Sequence, residues 1–499
     1  VKRFAGKAID GQIALFTLLV CGVCLLLCLV SSPCFAQVTF ERTYGATARE
    51  YGHSVQQTSD GGYIVAGDTK SFGAGQNDIY LIRTDSLGDI LWTRTYRGSD
   101  PDRAYSVQKT RDAGFVISGE TISSGTGVYD VYLVRVDSLG DTLWTATYGG
   151  DESDAGYSVL QTLDGGYIIA GETGSFGVFG RDVYLVKTDS LGNLVWATTC
   201  GEDSSDDVGR CIVQSSDKGY AVVGGTHSVS GSADVYLIKM DTLGNVLWTR
   251  SYGGTEEDFG FSVLQTADGG YTIAGYTFSS GAGWHDVYLI RVDSLGDSLW
   301  ARTYGGVSSD VAYSAASTSD GGYIIAGAKQ SPGWFDVYLV RTDSVGDTLW
   351  TRTYGGYWDD MGRSVLQTLD GGFIVVGATW SFGAGNYDFY LIKTDSLGRV
   401  LGIQEQDRKS KIEDRKSLQN QPNPFHGSTL ISYSLPAATC VTIEVYDITG
   451  RLVEIVVNET QKSGIHQVRW NRKANSCGVY FYRLKAGEFV ETKKMVVVE

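Results

Sequence analysis

At 499 residues the chain is long enough for two or more domains with cores of their own, and a hydrophobic content of 42% excludes wholesale disorder. Glycine is abundant (65 residues), proline scarce (6) and aromatics reach 12%; without a strict triplet period this composition excludes collagen and indicates an all-β protein. A formal charge of −16 argues against nucleic acid, whose binders need clustered Lys and Arg to displace counterions, and fits cations or neutral ligands better.

In chain order, residues 1–36 read as a signal peptide. Lys2, Arg3 and Lys7 form a basic start, Ile13 to Val30 an apolar run, and Cys34-Phe35-Ala36 a small-x-small ending before Gln37. A membrane anchor is the competing reading, since the run approaches spanning length; cleavage would leave no membrane span. Four of the eight cysteines fall in this segment, leaving Cys200, Cys211, Cys440 and Cys477. Each pair lies inside one expected domain, and an oxidising compartment permits bridging, so both pairs are candidate disulfides, although sequence does not show whether their Cβ atoms approach. No Cys/His cluster has metal-ligand spacing.

Residues 37–403 are organised by a repeat. Trp92, Trp144, Trp196, Trp248, Trp300 and Trp350 recur at intervals of 52, 52, 52, 52 and 50 residues, and an Asp opening a D-x-Y-L stretch recurs seven times, at Asp78, Asp130, Asp182, Asp234, Asp286, Asp336 and Asp388. Each unit holds four runs rich in Val, Ile, Tyr and Thr, divided by DGG and DSLG hairpin turns; in the third unit the first run is read as starting at Tyr157. Four strands repeated seven times predict a seven-bladed β-propeller. The seventh unit lacks its Trp, and Phe40 stands one period before Trp92, so residues 37–45 are expected to supply the outer strand of the last blade, with RVLGI near residue 400 as the competitor. The segment VYLVRVDSLGDTLWTATYGG resembles the tryptophan-docking repeat of pyrroloquinoline quinone and related propellers. That resemblance implies architecture and not chemistry, because the docking Trp is structural in those families and no quinone pocket stands out here.

Residues 404–417 mix charges of both signs without apolar periodicity and read as a linker. Residues 418–499 give about six strands, enough for a small immunoglobulin-like β-sandwich. Its motifs are PNPF (Pro422, Asn423, Pro424, Phe425), YDITGR (with Tyr446, Asp447, Gly450 and Arg451), Trp470, GVYFYRLKAG (with Gly478, Tyr480 and Tyr482) and KKM (with Lys493 and Lys494). Together they resemble the C-terminal sorting domain of type IX secretion substrates. The resemblance implies the outer-membrane secretion machinery as a partner and release or attachment at the cell surface. The loop before GVYFYRL is shortened to NRKANSC, and Cys440 and Cys477 are not part of the usual pattern.

Positions common to all seven units serve the fold, so function is sought where the units differ. The carboxylates placed before the first strand, Asp154, Asp258 and Asp360 among them, read as turn and backbone-bonding groups in preference to a ring of calcium ligands; calcium is the one cofactor left open. Trp284, Trp334 and Trp380, in loops between the second and third strands, are expected to share a face with Trp358 in an inter-blade loop. Aromatics beside carboxylates suit a glycan platform, although rings covering blade seams explain the same residues. His53, His227 and His285 show no ligand-like pairing, and no nucleophile, phosphate loop or catalytic carboxylate pair stands out. The function read from the sequence is therefore an exported module binding polysaccharide or protein, with a polysaccharide-acting enzyme or a structural spacer of a surface layer as alternatives.

Overall fold

The computed structural model describes residues 37–400 and 418–498, apart from short stretches at 74–75, 97–99, 124, 126–127, 178–179, 202–205, 228–231, 332, 436–438, 463, 472–476 and 487–488. The expected signal peptide and charged linker lie outside the described residues. All described regular elements are strands.

Residues 37–400 form seven four-stranded antiparallel sheets. In the third, the strands are Asp154–Gln161, Tyr167–Thr173, Asp182–Thr188 and Leu194–Cys200, from the axis outward. The two middle strands are buried on both faces, which is why they read as unbroken Val, Ile, Leu and Tyr runs rather than alternating ones. Each inner strand packs beside the inner strands of both neighbouring sheets, and the seventh sheet packs on the first, which closes a propeller.

Closure uses the N-terminal strand. Phe40–Tyr44 pairs antiparallel with Asp388–Thr394 in the register Phe40↔Lys393 to Tyr44↔Phe389, and so completes the seventh sheet as the Trp spacing implies. Val400, from the competing RVLGI segment, is instead buried in the core between the sixth and seventh sheets. In the other blades the outer-strand Trp lies beneath the glycine of the next DSLG turn; at the closure Phe40 takes that place, and a Cβ on Gly88 would stand 2.8 Å from its ring. Gly88 has φ +80°, so the turn needs glycine twice over. The Tyr44 hydroxyl donates to Gly88 O at 2.6 Å, as Tyr96 does to Gly140 O and Tyr148 to Gly192 O.

Two further repeated devices hold the ring. A buried Arg or Lys on each third strand pairs with the Asp of the DGG turn, from Arg83–Asp60 at 2.5 Å to Lys187–Asp164 at 3.0 Å. Nearer the axis, serine side chains join neighbouring inner strands. Ser54 Oγ accepts from Val107 N at 3.2 Å and Ser314 Oγ from Val365 N at 3.2 Å, and Ser364 Oγ accepts from Val55 N across the closure at 3.4 Å. Cys211 holds the serine position in the fourth blade, its sulfur 4.0 Å from Val263 O.

This placement corrects the disulfide expectation, because all four described cysteines are free thiols. Cys200 packs in the core between the third and fourth sheets, whereas Cys211 packs against the core between the fourth and fifth, so a sheet separates them. Cys440 lies on the strand Thr439–Asp447, which pairs with Gly478–Ala486 so that Val441 faces Ala486 and Asp447 faces Tyr480. Cys477 is therefore at the opposite end of that pair, roughly 30 Å away at strand rise, against a bridging limit of about 7 Å between Cα atoms.

Residues 418–498 form a three-stranded and a four-stranded sheet over one core that includes Phe425, Tyr433, Trp470 and Tyr482. The motif residues serve this core and its turns. Phe425 packs edge-on against Trp470 at 5.8 Å, and Asn423 Oδ1 accepts from Val496 N at 2.8 Å, tying the PNPF segment to the last strand. Asp447 Oδ1 accepts from Thr449 N and Arg451 N, and Gly450 turns the chain at φ +83°. Pro422, Pro424, Lys493 and Lys494 are exposed.

Candidate binding site at the channel mouth

Each inner strand begins three residues earlier than the sequence suggests, at the carboxylate itself. Asp154, Asp258 and Asp360 are buried first residues of their strands, not loop groups. Asp154 Oδ2 accepts from Gly150 N at 2.9 Å and Ser175 Oγ at 2.7 Å; Asp258 Oδ2 accepts from Gly254 N at 2.8 Å and Ser279 Oγ at 2.6 Å. Burial is the main reason the Asp360 carboxyl is pushed up to about 6, against hydrogen bonds from Ser381 and Thr379. The geometry is that of a backbone anchor, and among the described residues no group of three or more His, Cys, Asp and Glu is placed to hold a metal ion.

The site follows from what comes next on those strands. In every blade the register shifts at the fourth residue, a β-bulge that leaves one residue out of the ladder. A bulge re-aims its side chain. The seven bulged residues are His53, Tyr105, Tyr157, Arg210, Phe261, Tyr313 and Arg363, all half-buried on the strands nearest the axis. They touch in turn around the channel. His53 meets Tyr105 at 5.5 Å, Tyr105 meets Tyr157 at 5.0 Å, and Arg210 lies over Tyr157 at 4.0 Å. On the far side Phe261 meets Tyr313 at 5.3 Å, and Arg363 lies over Tyr313 at 4.0 Å. Phe259 and Tyr51, each two positions before a bulge, extend the ring: Phe259 lies 4.9 Å from Phe261 and 5.8 Å from Arg210, and Tyr51 lies 6.3 Å from His53.

Carboxylates on the second strands support one half of this ring. Asp68 Oδ1 lies 3.0 Å from His53 Nε2, Glu120 accepts from Arg103 at 2.5 Å, and Glu172 accepts from Arg181. Burial, reinforced by Glu120, raises the Tyr105 phenol far above its ordinary range; burial raises Tyr157 too, with Arg210 opposing. Both phenols are therefore hydrogen-bonding groups at neutral pH rather than bases.

The structure brings three of the four expected tryptophans together. Trp334 and Trp358 are 4.7 Å apart, Trp358 and Trp380 5.0 Å, and the cluster runs on through Tyr387 (5.7 Å) to Tyr51 (5.0 Å) and so into the ring. Trp284 is not among them. It is 66% exposed and heads a separate arm over the fifth blade, through Phe278 (5.8 Å), His285 (5.4 Å) and Tyr276 (4.9 Å) to Phe261 (5.9 Å). His227, by contrast, bonds its neighbouring loop at Asp206 O. Sequence reasoning missed the ring itself, although its signal is present: in (D/E)-x-(G/A)-x-(S/C) the first, third and fifth positions keep their residue type while the fourth changes from blade to blade.

Comparison with known proteins bears on the C-terminal domain. Residues 421–498 match the secretion system C-terminal sorting domain family. This supports export through the type IX secretion system as a cell-surface or secreted protein. Over 199 residues the chain is 28% identical to the regulatory protein FlaEY of Caulobacter vibrioides, a match that takes in 36% of this chain and only 20% of that protein. Among solved structures, Sqt1 from Chaetomium thermophilum aligns at TM-score 0.40 and 12% identity over 68% of this chain and 83% of its own. A mutant puromycin hydrolase complexed with PGG aligns at TM-score 0.43 and 13% identity over 78% and 59%. The propeller fold rests on the sheet topology above, not on these alignments.

Proposed function

We propose that the propeller is an exported binding module that takes an extended polysaccharide across the mouth of its central channel. The observation that carries this reading is the ring of bulged residues, continuous with two aromatic arms that reach the loops of the fifth to seventh blades. Aromatic faces stack on sugar rings, and the phenols supply hydrogen bonds at fixed positions. Tyr105→Ala and Trp380→Ala, compared with wild type by calorimetry against a polysaccharide panel, should each weaken binding about tenfold or more. Undiminished affinity in both variants would remove the channel mouth as the site.

One observation favours an enzymatic variant of the same reading. His53 is the one histidine among the seven bulged residues, and a carboxylate, Asp68 at 3.0 Å, orients its ring, which is how a general base is held. Chain cleavage of a bound polysaccharide that vanishes in His53→Ala, with binding retained, would establish it; binding without turnover leaves a module.

A further inference from the structure

The mouth contains two guanidinium groups that the fold does not use. Arg103 and Arg181 are held by Glu120 and Glu172. On the third strands, Arg83, Arg135, Arg291 and Arg341 are held by the turn aspartates. Arg210 and Arg363 differ. Among the described residues neither has a carboxylate within ion-pair reach; Arg363 donates only a weak bond to Met361 Sδ at 3.6 Å, and Arg210 Nε is buried without a hydrogen-bond partner. Each lies over a tyrosine ring with its Cζ 4.0 Å from the centroid, a contact that holds the guanidinium in place without using up its N–H donors.

A half-buried guanidinium with no ion pair keeps its N–H donors available to an anion, which takes them in charge-assisted bonds. The chain as a whole carries a formal charge of −16, from which cations or neutral ligands would be expected. Beside the ring that expectation is reversed locally, because the second-strand carboxylates Asp68, Glu120 and Glu172 are each paired with a His or Arg and these two cations have no ion pair among the described residues.

Resting on the polysaccharide reading above, we infer that the ligand is an acidic polysaccharide whose carboxylate or sulfate groups are gripped by Arg210 and Arg363. The two arginines sit three blades apart, on different sides of the axis, so an extended chain laid across the mouth meets both. A planar guanidinium can take either anion through two parallel N–H bonds. The aromatic arms explain why the anion belongs to a sugar chain and not to a free ion: they offer stacking surface on the way to both arginines.

The test uses the whole chain with three probes: polygalacturonate (carboxylate), dextran sulfate (sulfate) and dextran (neutral). The inference expects at least one polyanion to bind about tenfold or more tightly than dextran, and Arg210→Gln and Arg363→Gln each to weaken it about tenfold to a hundredfold. Arg210→Lys should restore part of the loss, because it returns the charge without the fork. Arg302→Gln, at a surface pair on an outer strand, should change nothing. Which polyanion binds tells carboxylate from sulfate. Preference for dextran, or polyanion binding that Arg210→Gln and Arg363→Gln leave untouched or that Arg302→Gln weakens equally, overturns the inference while leaving the polysaccharide reading standing. No binding to these probes or to a wider neutral panel of xylan, mannan and β-glucan defeats that reading, and the inference with it.

Discussion

Replacing Phe40 by Ala should open the propeller at its one non-covalent seam within a sheet. The side chain is buried beneath Gly88, meets Tyr63 edge-on at 6.1 Å and is covered by Arg42 at 5.5 Å. Truncating a buried Phe costs about 3–5 kcal/mol, since the cavity adds to the lost transfer energy. Spread over the unfolding entropy of a domain of roughly 360 residues, that lowers Tm by about 4–7 °C. Phe40→Trp should stay within about 1 kcal/mol of wild type, because six other blades seat a Trp in this place. Guanidinium denaturation measures the stabilities, and hydrogen exchange across Asp388–Thr394, the strand that Phe40–Tyr44 covers, reports whether loss is local. If Phe40→Ala falls within about 1 kcal/mol of wild type and protection of that strand is unchanged, the latch account is wrong.

Other expectations are as direct. Gly253→Ala should destabilise by about 1–3 kcal/mol in denaturation experiments, because a Cβ there would stand 2.1 Å from Asp234 Oδ1 and 2.5 Å from Asp258 Oδ2. Asp360 has a folded pKa of about 6 through burial, above its unfolded value of 3.8; its contribution is therefore complete below pH 3.8 and is lost as pH rises through 6. Stability of wild type relative to Asp360→Asn should accordingly fall by about 2–2.5 kcal/mol between pH 4 and pH 7, and a flat difference would contradict the burial argument. Cys211→Ser should hold or raise stability by up to about 1 kcal/mol, since it returns an Oγ to the one gap in the serine belt. In native labelling with a maleimide, Cys440 and Cys477 should react, whereas Cys200 and Cys211 should wait for unfolding, as burial also raises both thiols.

The architecture was legible because each blade restates it. Trp spacing, the DSLG glycines and the place of Phe40 express one packing relation, an aromatic under a turn glycine, so even the closure could be placed from sequence. The site was less legible for a local reason. Reading the third blade's first strand from Tyr157 put Asp154 in a loop and made Tyr157 an ordinary strand residue. The structure starts the strand at the carboxylate and bulges at Tyr157, and a bulge has no signature beyond the small residue before it. The tryptophan cluster was half foreseen: loop position put Trp334, Trp358 and Trp380 on one face, but sequence could not show that Trp284 belongs to another arm. The disulfides failed because sharing a domain says nothing about which sheet lies between two sulfurs.

The bulge has an evolutionary consequence. A residue outside the ladder contributes no backbone register and is not one of the fully buried residues of the cores between blades, so its identity can change while the carboxylate anchor, the serine belt and the aromatic-under-glycine contacts stay fixed. Each duplicated blade thus brings one free letter to the axis, and this chain spells His, Tyr, Tyr, Arg, Phe, Tyr, Arg. A sibling with the same scaffold and a different seven-letter word would fold alike and recognise something else, which makes this word the first place to compare such proteins.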